Sequence, residues 1–555
     1  MPNRNYAFTM PLLGALRDLG LEHVAVSPGS RNTPLAIAAA ETVGLDVSVH
    51  LDERSAAFFA LGMARAVGKP VALISTSGTA AAEYLPAVVE ARLSHIPLVI
   101  LTADRPQELR DAGAPQTIRQ ADLYGTSVKW AHDAAPPDPS ADPARYAVRL
   151  GAQAWATAQE TPAGPVHLNL AFRDPLAPTP TGEDIPPAPP TPTIHLGLPV
   201  ASDGALLAVA RQIGSKKLLI VAGPSDNPET ASAIAELAEA ADAPIFADPL
   251  SGLRAGQHTL DRVVATGDAL ARAGRLDTDL RPDMVIRFGP VPTSKALWTW
   301  LAKTDVPQVW VDAGTWREAT SSASVIVRAD IADTARRLAE LVEPADPSWT
   351  PTWAASEAAV LDAWGILPWP SEPAAAAALA AGMVDGASLV VSSSMPIRDV
   401  DAFFGVQDRP VRIFANRAAN GIDGVISTAV GVAATGRPTY LLIGDVAFLH
   451  DATALASARR LGVALTVVLI DNNGGGIFHF LPQADHPEHF EDLLTTPHGT
   501  NLVAVAEGLG ATVIEPSTID EFLGHLATPD DVKVLVLRTD RSENLTLHKH
   551  LFNQG

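Results

Sequence analysis

Short apolar runs alternate with amphipathic stretches along nearly the whole chain, a pattern that predicts helices layered on parallel sheets. In the first region, strands are expected at His23–Ser27, Asp46–His50, Val71–Thr76, Leu98–Thr102 and Val166–Leu170, with helices at Ser55–Ala66 and Ala80–Arg92. The stretch Pro175–Pro199 is too rich in proline for a helix or a central strand and is expected to be an extended linker. Strands follow at Leu218–Ala222, Pro244–Ala247, Met284–Phe288 and Gln308–Asp312, then a break at Pro344–Pro351 and a Trp-containing helical connection. The last region predicts strands at Leu389–Ser392, Thr439–Ile443, Ala464–Ile470 and Lys533–Leu537, with a helix over Leu449–Leu461. The expected fold is α/β, with three doubly wound domains and mainly parallel sheets. Their boundaries fall at 1–178, a linker 179–200, 201–345, a connection 346–372 and 373–555.

Composition narrows the function. A chain of 555 residues exceeds one hydrophobic core. Its longest apolar runs, Ala374–Met383 and Val463–Ile470, fall short of the roughly 18 residues that cross a membrane. The start, Met1-Pro-Asn-Arg-Asn5, lacks the apolar core of a secretory signal. The chain has no cysteine, which excludes disulfides, thiolate metal sites and a Cys nucleophile. A cytoplasmic location is expected. The net charge of −22 repels nucleic acid and anionic membranes, but leaves room for an anionic small substrate held by a local group of Arg and Lys.

The most informative segment is Gly444-Asp445-Val446-Ala447-Phe448, with Asn472 following 27 positions after Asp445 in Asp471-Asn472-Asn473-Gly474-Gly475-Gly476. Both clusters follow expected strands of one βαβ unit, at the carboxyl ends where open α/β sheets bind ligands. Mg²⁺ prefers an octahedron of hard oxygens. Asp445 offers a carboxylate, Asn472 an amide oxygen and Gly474 a backbone carbonyl; two diphosphate oxygens would nearly complete the shell. Either cluster alone is an ordinary turn. Together, at this spacing, they point to a metal-bound diphosphate. No G-x-G-x-x-G is present, and Gly431–Pro438 imitates a P-loop only until Arg437-Pro438.

This pair of clusters resembles the magnesium-diphosphate motif of thiamine-diphosphate-dependent enzymes, with Gly-Asp-Val in place of the usual Gly-Asp-Gly. Ser27–Leu35, Asp52–Ser55, Ser75–Thr79, Leu101–Pro106, Asp248–Ser251, Arg287–Gly289, Pro292–Lys295, Asn416-Arg417, Gly421–Gly424 and Gly474–Phe478 are similar, in order, to the branch of that family serving menaquinone synthesis. The resemblance implies thiamine diphosphate with Mg²⁺, or Mn²⁺ in its place. It also implies decarboxylation of 2-oxoglutarate, with addition of the remaining fragment to isochorismate. It makes Glu53 the carboxyl that activates the cofactor's aminopyrimidine, in an apolar setting that would raise its pKa. Further cofactor contacts would come from Pro28, Gly444, Val446, Gly475, Ile477, Phe478 and Ile422, the last wedged between the cofactor rings.

Two dicarboxylate substrates call for fixed cations, and Arg31, Arg105, Lys295, Arg398 and Arg417 lie in or beside matching motifs. Arg31, Arg398 and Arg417 stand out, with Gln116 as a hydrogen-bond partner of an intermediate. Ser30, Ser394 and Phe478 complete the substrate contacts. Two departures, Ala418 for Gly and Asp471 for Asn, spare every proposed ligand. Because Glu53 and Asp445 fall in different domains, the resemblance implies a homodimer or dimer of dimers with the site across the interface. Two other readings stay open: a thiamine carboligase or decarboxylase using another 2-oxo acid, and a non-catalytic homologue.

Overall fold

The computed structural model describes residues 3–178 and 188–554. Contacts divide the chain into two compact units. One comprises Met1–Gly197, Asn416–Gly436 and Ala456–Val463; the other comprises Leu198–Ala415, Arg437–Leu455 and Ala464–Gly555. Of the expected linker, residues 179–187 lie outside the described residues, and 188–202 form no helix or strand.

The first unit is built on six parallel strands: β1 (His23–Val26), β2 (Asp46–Val49), β3 (Val71–Ser75), β4 (Leu98–Asp104), β5 (Trp130–Ala134) and β6 (Val166–Ala171), in the order β2-β1-β3-β4-β6-β5. Strands β3, β4 and β6 are buried at every position, as continuous apolar runs covered on both faces should be. The helix Glu53–Val67 starts where Asp52 accepts the N–H of Ser55 at 3.0 Å and stops at Gly68, whose φ is 69°. It packs on the helix Val425–Ala433 with almost no gap. A Cβ on Gly62 would lie 2.1 Å from the carbonyl oxygen of Thr428, and one on Gly431 would lie 2.0 Å from that of Phe59. Gly431, which opens the P-loop-like sequence, therefore serves helix packing.

The second unit carries two sheets. The first contains β7 (Leu218–Ala222), β8 (Ile245–Ala247), β9 (Val263–Val264), β10 (Met284–Phe288), β11 (Gln308–Val311) and β12 (Val325–Val327), ordered β12-β11-β10-β7-β8-β9. This is the strand order of dinucleotide-binding folds. Its crevice is closed, however, because a Cβ on Gly223 would meet the Pro290 carbonyl oxygen at 2.0 Å. The cavity bordered by Gly289, Pro290 and Trp310 measures about 10 Å³, room for no more than one water.

The other sheet contains β13 (Ser388–Val391), β14 (Arg412–Ala415), β15 (Thr439–Gly444), β16 (Leu465–Asp471), β17 (Thr512–Ile514) and β18 (Val532–Arg538), ordered β14-β13-β15-β16-β18-β17. Renumbered from one, that is the order of the first sheet. Both reverse direction between their first and third strands, the topological switch point where such sheets bind ligands.

All expected strands are present, their ends shifted by at most two residues. Two expected helices are each divided. Ala80–Arg92 becomes Thr79–Ala82 and Leu85–Ser94, the second opened by Pro86, and Leu449–Leu461 becomes Asp445–Asp451 and Ala454–Leu461. The break at Pro344–Pro351 is shorter than expected, because the helix Trp349–Trp364 takes Pro351 into its first turn.

Candidate active site

In the second unit, β15 runs into a helix that begins at Asp445, with β16 ending beside it at Asp471. Asp445 is buried, and its Oδ2 accepts the backbone N–H groups of Gly474 at 2.8 Å and Asn472 at 3.2 Å; Oδ1 accepts that of Val446 at 2.7 Å. The carboxylate is thus held from both adjoining loops. Gly474 adopts φ 139°, and a Cβ there would strike the Thr495 carbonyl oxygen at 2.3 Å. That same oxygen accepts the Gly475 N–H at 2.7 Å, so glycine is required where the loop turns.

Asn472 donates its Nδ2 to Oε1 of Glu372 at 2.9 Å, while its Oδ1 is buried with no hydrogen-bond partner among the described residues. Asn5, Asn32 and Asn544 also have buried amide oxygens with no such partner; that of Asn472 differs in belonging to the loop whose N–H groups hold the Asp445 carboxylate. Asp445, Asn472 and Gly474 offer oxygens of the types that Mg²⁺ favours, the Gly474 carbonyl also accepting the Gly476 N–H at 2.9 Å. His498 Nε2 lies 3.3 Å from Asp445 Oδ2, and Asp445, Asp471 and His498 present ligand atoms within 4.8 Å of one another. Burial, and then the charge of Asp445, raises the Asp471 carboxyl. No sequence signal marked His498, which sits 53 residues past Asp445 in a loop. Ile477 and Phe478, half-buried, follow in the short 3₁₀ turn Gly476–Phe480.

Ser394 precedes the helix Met395–Phe403 with φ 73° and makes no side-chain capping bond, and Arg398, exposed, folds back onto the Ser394 carbonyl. This backbone conformation, strained for a residue other than glycine, marks the loop after β13 at the switch point. Lys295 stands exposed at the start of the helix Lys295–Lys303, which follows β10.

In the first unit, the loops after β1, β3 and β4 bring several predicted residues together. Arg105 bonds the Ser77 hydroxyl, and Gln116 Nε2 donates to the Ser77 carbonyl at 3.0 Å. Gln116 itself has φ 56°. Arg31 donates to the Phe172 carbonyl at 3.0 Å and lies 3.6 Å from Asp174. Burial, and then the like charge of Arg31, lowers the Arg105 guanidinium. Arg31 and Arg105 thus place two like charges near one another in a partly buried setting. Pro28 and Ser30 belong to the loop that carries Arg31. Glu53, half-buried, heads its helix; burial raises its carboxyl, and the charges of Asp52 and Glu83 add to the effect.

Arg417 reaches Oδ1 of Asn420 at 3.0 Å, in a segment fastened to Glu90 by the N–H groups of Ala418 and Ala419. Ile422, half-buried, follows before Gly424. Ser77, Glu90 and Glu372 were not singled out from sequence. Glu90 left one trace, as the lone acid in the apolar stretch Val88-Val89-Glu90-Ala91.

Comparison with known proteins matches the chain to thiamine pyrophosphate enzymes. Residues 10–123 match the N-terminal TPP-binding domain of thiamine pyrophosphate enzymes, and residues 402–529 match their C-terminal TPP-binding domain. A 2-succinyl-5-enolpyruvyl-6-hydroxy-3-cyclohexene-1-carboxylate synthase from Geobacillus thermodenitrificans is 42% identical, across 100% of this chain and 97% of its own length. Synthases of the same name from Geobacillus kaustophilus (43%; 99% and 97%) and Halobacterium salinarum (42%; 94% and 92%) are equally similar. An X-ray structure from Mycobacterium smegmatis, assigned to the thiamin diphosphate-dependent enzymes, shares the fold with a TM-score of 0.72 at 21% identity. It covers 97% of this chain and 100% of its own.

Proposed function

Because the chain belongs to the thiamine pyrophosphate enzyme family, we propose that it decarboxylates 2-oxoglutarate and joins the remaining four-carbon fragment to isochorismate, giving 2-succinyl-5-enolpyruvyl-6-hydroxy-3-cyclohexene-1-carboxylate and CO₂. Decarboxylation or carboligation with thiamine diphosphate follows from the family; the two substrates are the proposal. The observation that carries it is the identity of 42–43% with synthases of that name, over nearly the full length of both chains.

Mg²⁺, or Mn²⁺, would be held by Asp445, Asn472 Oδ1 and the Gly474 carbonyl. The buried, partnerless amide oxygen supports that fit. Bound thiamine diphosphate supplies the electron sink that lets a 2-oxo acid lose CO₂. The rest falls to the protein. Glu53, its carboxyl raised by burial, can keep and return a proton at the cofactor's aminopyrimidine. Arg31 and Arg105 would bind a substrate carboxylate, which relieves their mutual repulsion. Gln116, pinned to Ser77, would offer its amide to the same ligand. Arg398, Arg417, Lys295, Ser30 and Ser394 are the further groups proposed to orient the two anions, with Ile477, Phe478 and Ile422 excluding water. The enzyme is proposed to act as a homodimer or dimer of dimers, with a second copy completing each site.

The test is Glu53→Gln. It should bind thiamine diphosphate as the wild type does, yet lose turnover by at least about a hundredfold, the usual contribution of a positioned acid–base group. Near-normal turnover in that variant would overturn the proposal.

A further inference from the structure

We propose that Glu372 is the positioning residue of the metal site: by accepting the amide N–H of Asn472, it fixes which way that amide faces and turns Oδ1 toward the cation. The inference rests on the reading that Asp445 and Asn472 hold a divalent metal.

An asparagine amide can sit in either of two orientations, related by a half-turn, that present opposite chemistry to its surroundings. At Asn472 the choice falls to one neighbour. Oε1 of Glu372 accepts Nδ2 of Asn472 at 2.9 Å and, on the same oxygen, the hydroxyl of Thr539 at 3.1 Å. An oxygen engaged by two donors is an acceptor, and reversing the amide would set the Asn472 carbonyl against it. With Nδ2 committed, Oδ1 points away, buried and without a hydrogen-bond partner among the described residues. An acceptor held in this way is arranged for a cation.

Glu372 is itself fixed. It is 2% exposed, at the start of the helix Glu372–Gly382, and Ser371 caps that helix through the N–H of Ala374 at 3.2 Å. Behind it lies a buried pair, His548 Nε2 at 2.8 Å from Asp399 Oδ1, with His548 Nδ1 at 2.9 Å from the Asn544 carbonyl oxygen. Nδ1 faces a carbonyl oxygen and so carries a proton, and Nε2 and Asp399 share a second proton between them. Asp399 is thereby neutralised beside Glu372. Thr539 ties the arrangement back to the metal loop, since its N–H donates to the Asp471 carbonyl at 3.1 Å. The result is a second layer of groups, from three distant parts of the sequence, converging on one amide.

The experiment measures Mn²⁺ binding by electron paramagnetic resonance, in the presence of thiamine diphosphate, for the full-length protein and its variants. Glu372→Ala should raise the Mn²⁺ dissociation constant by about 10–100-fold, as loss of such partners does in other metal sites. Glu372→Gln, which keeps an acceptor oxygen in place, should stay within a few-fold of wild type. A role in stability alone would lower the melting temperature and leave the dissociation constant unmoved. Should Glu372→Ala fail to fold, a swap decides. Asn472→Asp should weaken Mn²⁺ binding by setting two carboxylates face to face, and adding Glu372→Gln should recover it about tenfold or more.

Equal Mn²⁺ affinity in wild type and Glu372→Ala, or no recovery in the double variant, overturns this inference alone. Absence of Mn²⁺ binding by the wild type overturns the metal-site reading, and the inference with it.

Discussion

The backbone N–H of Ala419 donates to Oε2 of Glu90 at 2.7 Å. The other carboxylate oxygen takes the N–H of Ala418 at 3.2 Å and the hydroxyl of Ser94 at 2.6 Å, with the buried guanidinium of Arg65 3.7 Å away. One buried acid thus anchors the segment that carries Arg417. Glu90→Ala should destabilise the protein by about 3 kcal/mol, because a buried charge loses its counterpart. Replacing both partners, Glu90→Leu with Arg65→Met, should restore most of that stability. It should still leave the KM for the substrate that Arg417 is proposed to hold raised about tenfold, the equivalent of about 1.4 kcal/mol. Urea unfolding and steady-state kinetics on the two variants separate these effects.

Acid should weaken the fold through two histidines that are neutral in it. Burial lowers His167 to about 3 and His50 to about 4; Arg460 adds to the shift at His50. His167 shares a 2.7 Å hydrogen bond with the Thr102 hydroxyl, and His50 packs on Phe59 at 4.4 Å. In the unfolded chain both titrate near 6.5, so below that pH the unfolded state binds more protons and stability falls. Between pH 7.5 and 5.5 each should cost about 1.4 kcal/mol. Urea unfolding at the two pH values should show a wild-type loss that the His50→Gln/His167→Gln double variant lacks. Identical slopes would refute the assignment.

The proposed assembly makes a sharp prediction about mixed subunits. Glu53→Gln and Asp445→Ala should each be inactive. Denatured together and refolded at equal amounts, half of the dimers should be hybrids, each with one site free of both substitutions. Activity should then return to roughly a quarter of wild type. If each site draws on a single chain, every hybrid site keeps a defect and no activity returns.

Sheet interiors were legible in the sequence, whereas among the edge strands of the described residues only β2 was. The five strands with no sequence expectation are β5, β9, β12, β14 and β17, and each is an edge strand. An edge strand is short and partly wet, so no continuous apolar run announces it: β5 reads Trp-Ala-His-Asp-Ala and β9 has two residues. In the candidate site, Asp445, Asn472 and Gly474 were legible because they cluster at two strand ends at a telling spacing. Glu372, Glu90 and His498 were not, because each reaches its partner across a long sequence separation: 100 residues from Glu372 to Asn472 and 329 from Glu90 to Ala419. The two divided helices show the same limit at short range: Pro86 opens the second half of one, and the other breaks at Ala452-Thr453, where no proline or glycine announces it.

The most direct test of the proposed function is the rate of CO₂ release from 2-oxoglutarate, with thiamine diphosphate and Mg²⁺, in the presence and absence of isochorismate. Release should be slow alone and fast with isochorismate, with one isochorismate consumed for each CO₂. Release at the same rate in both would contradict the proposed acceptor, and no release in either would contradict the decarboxylation itself.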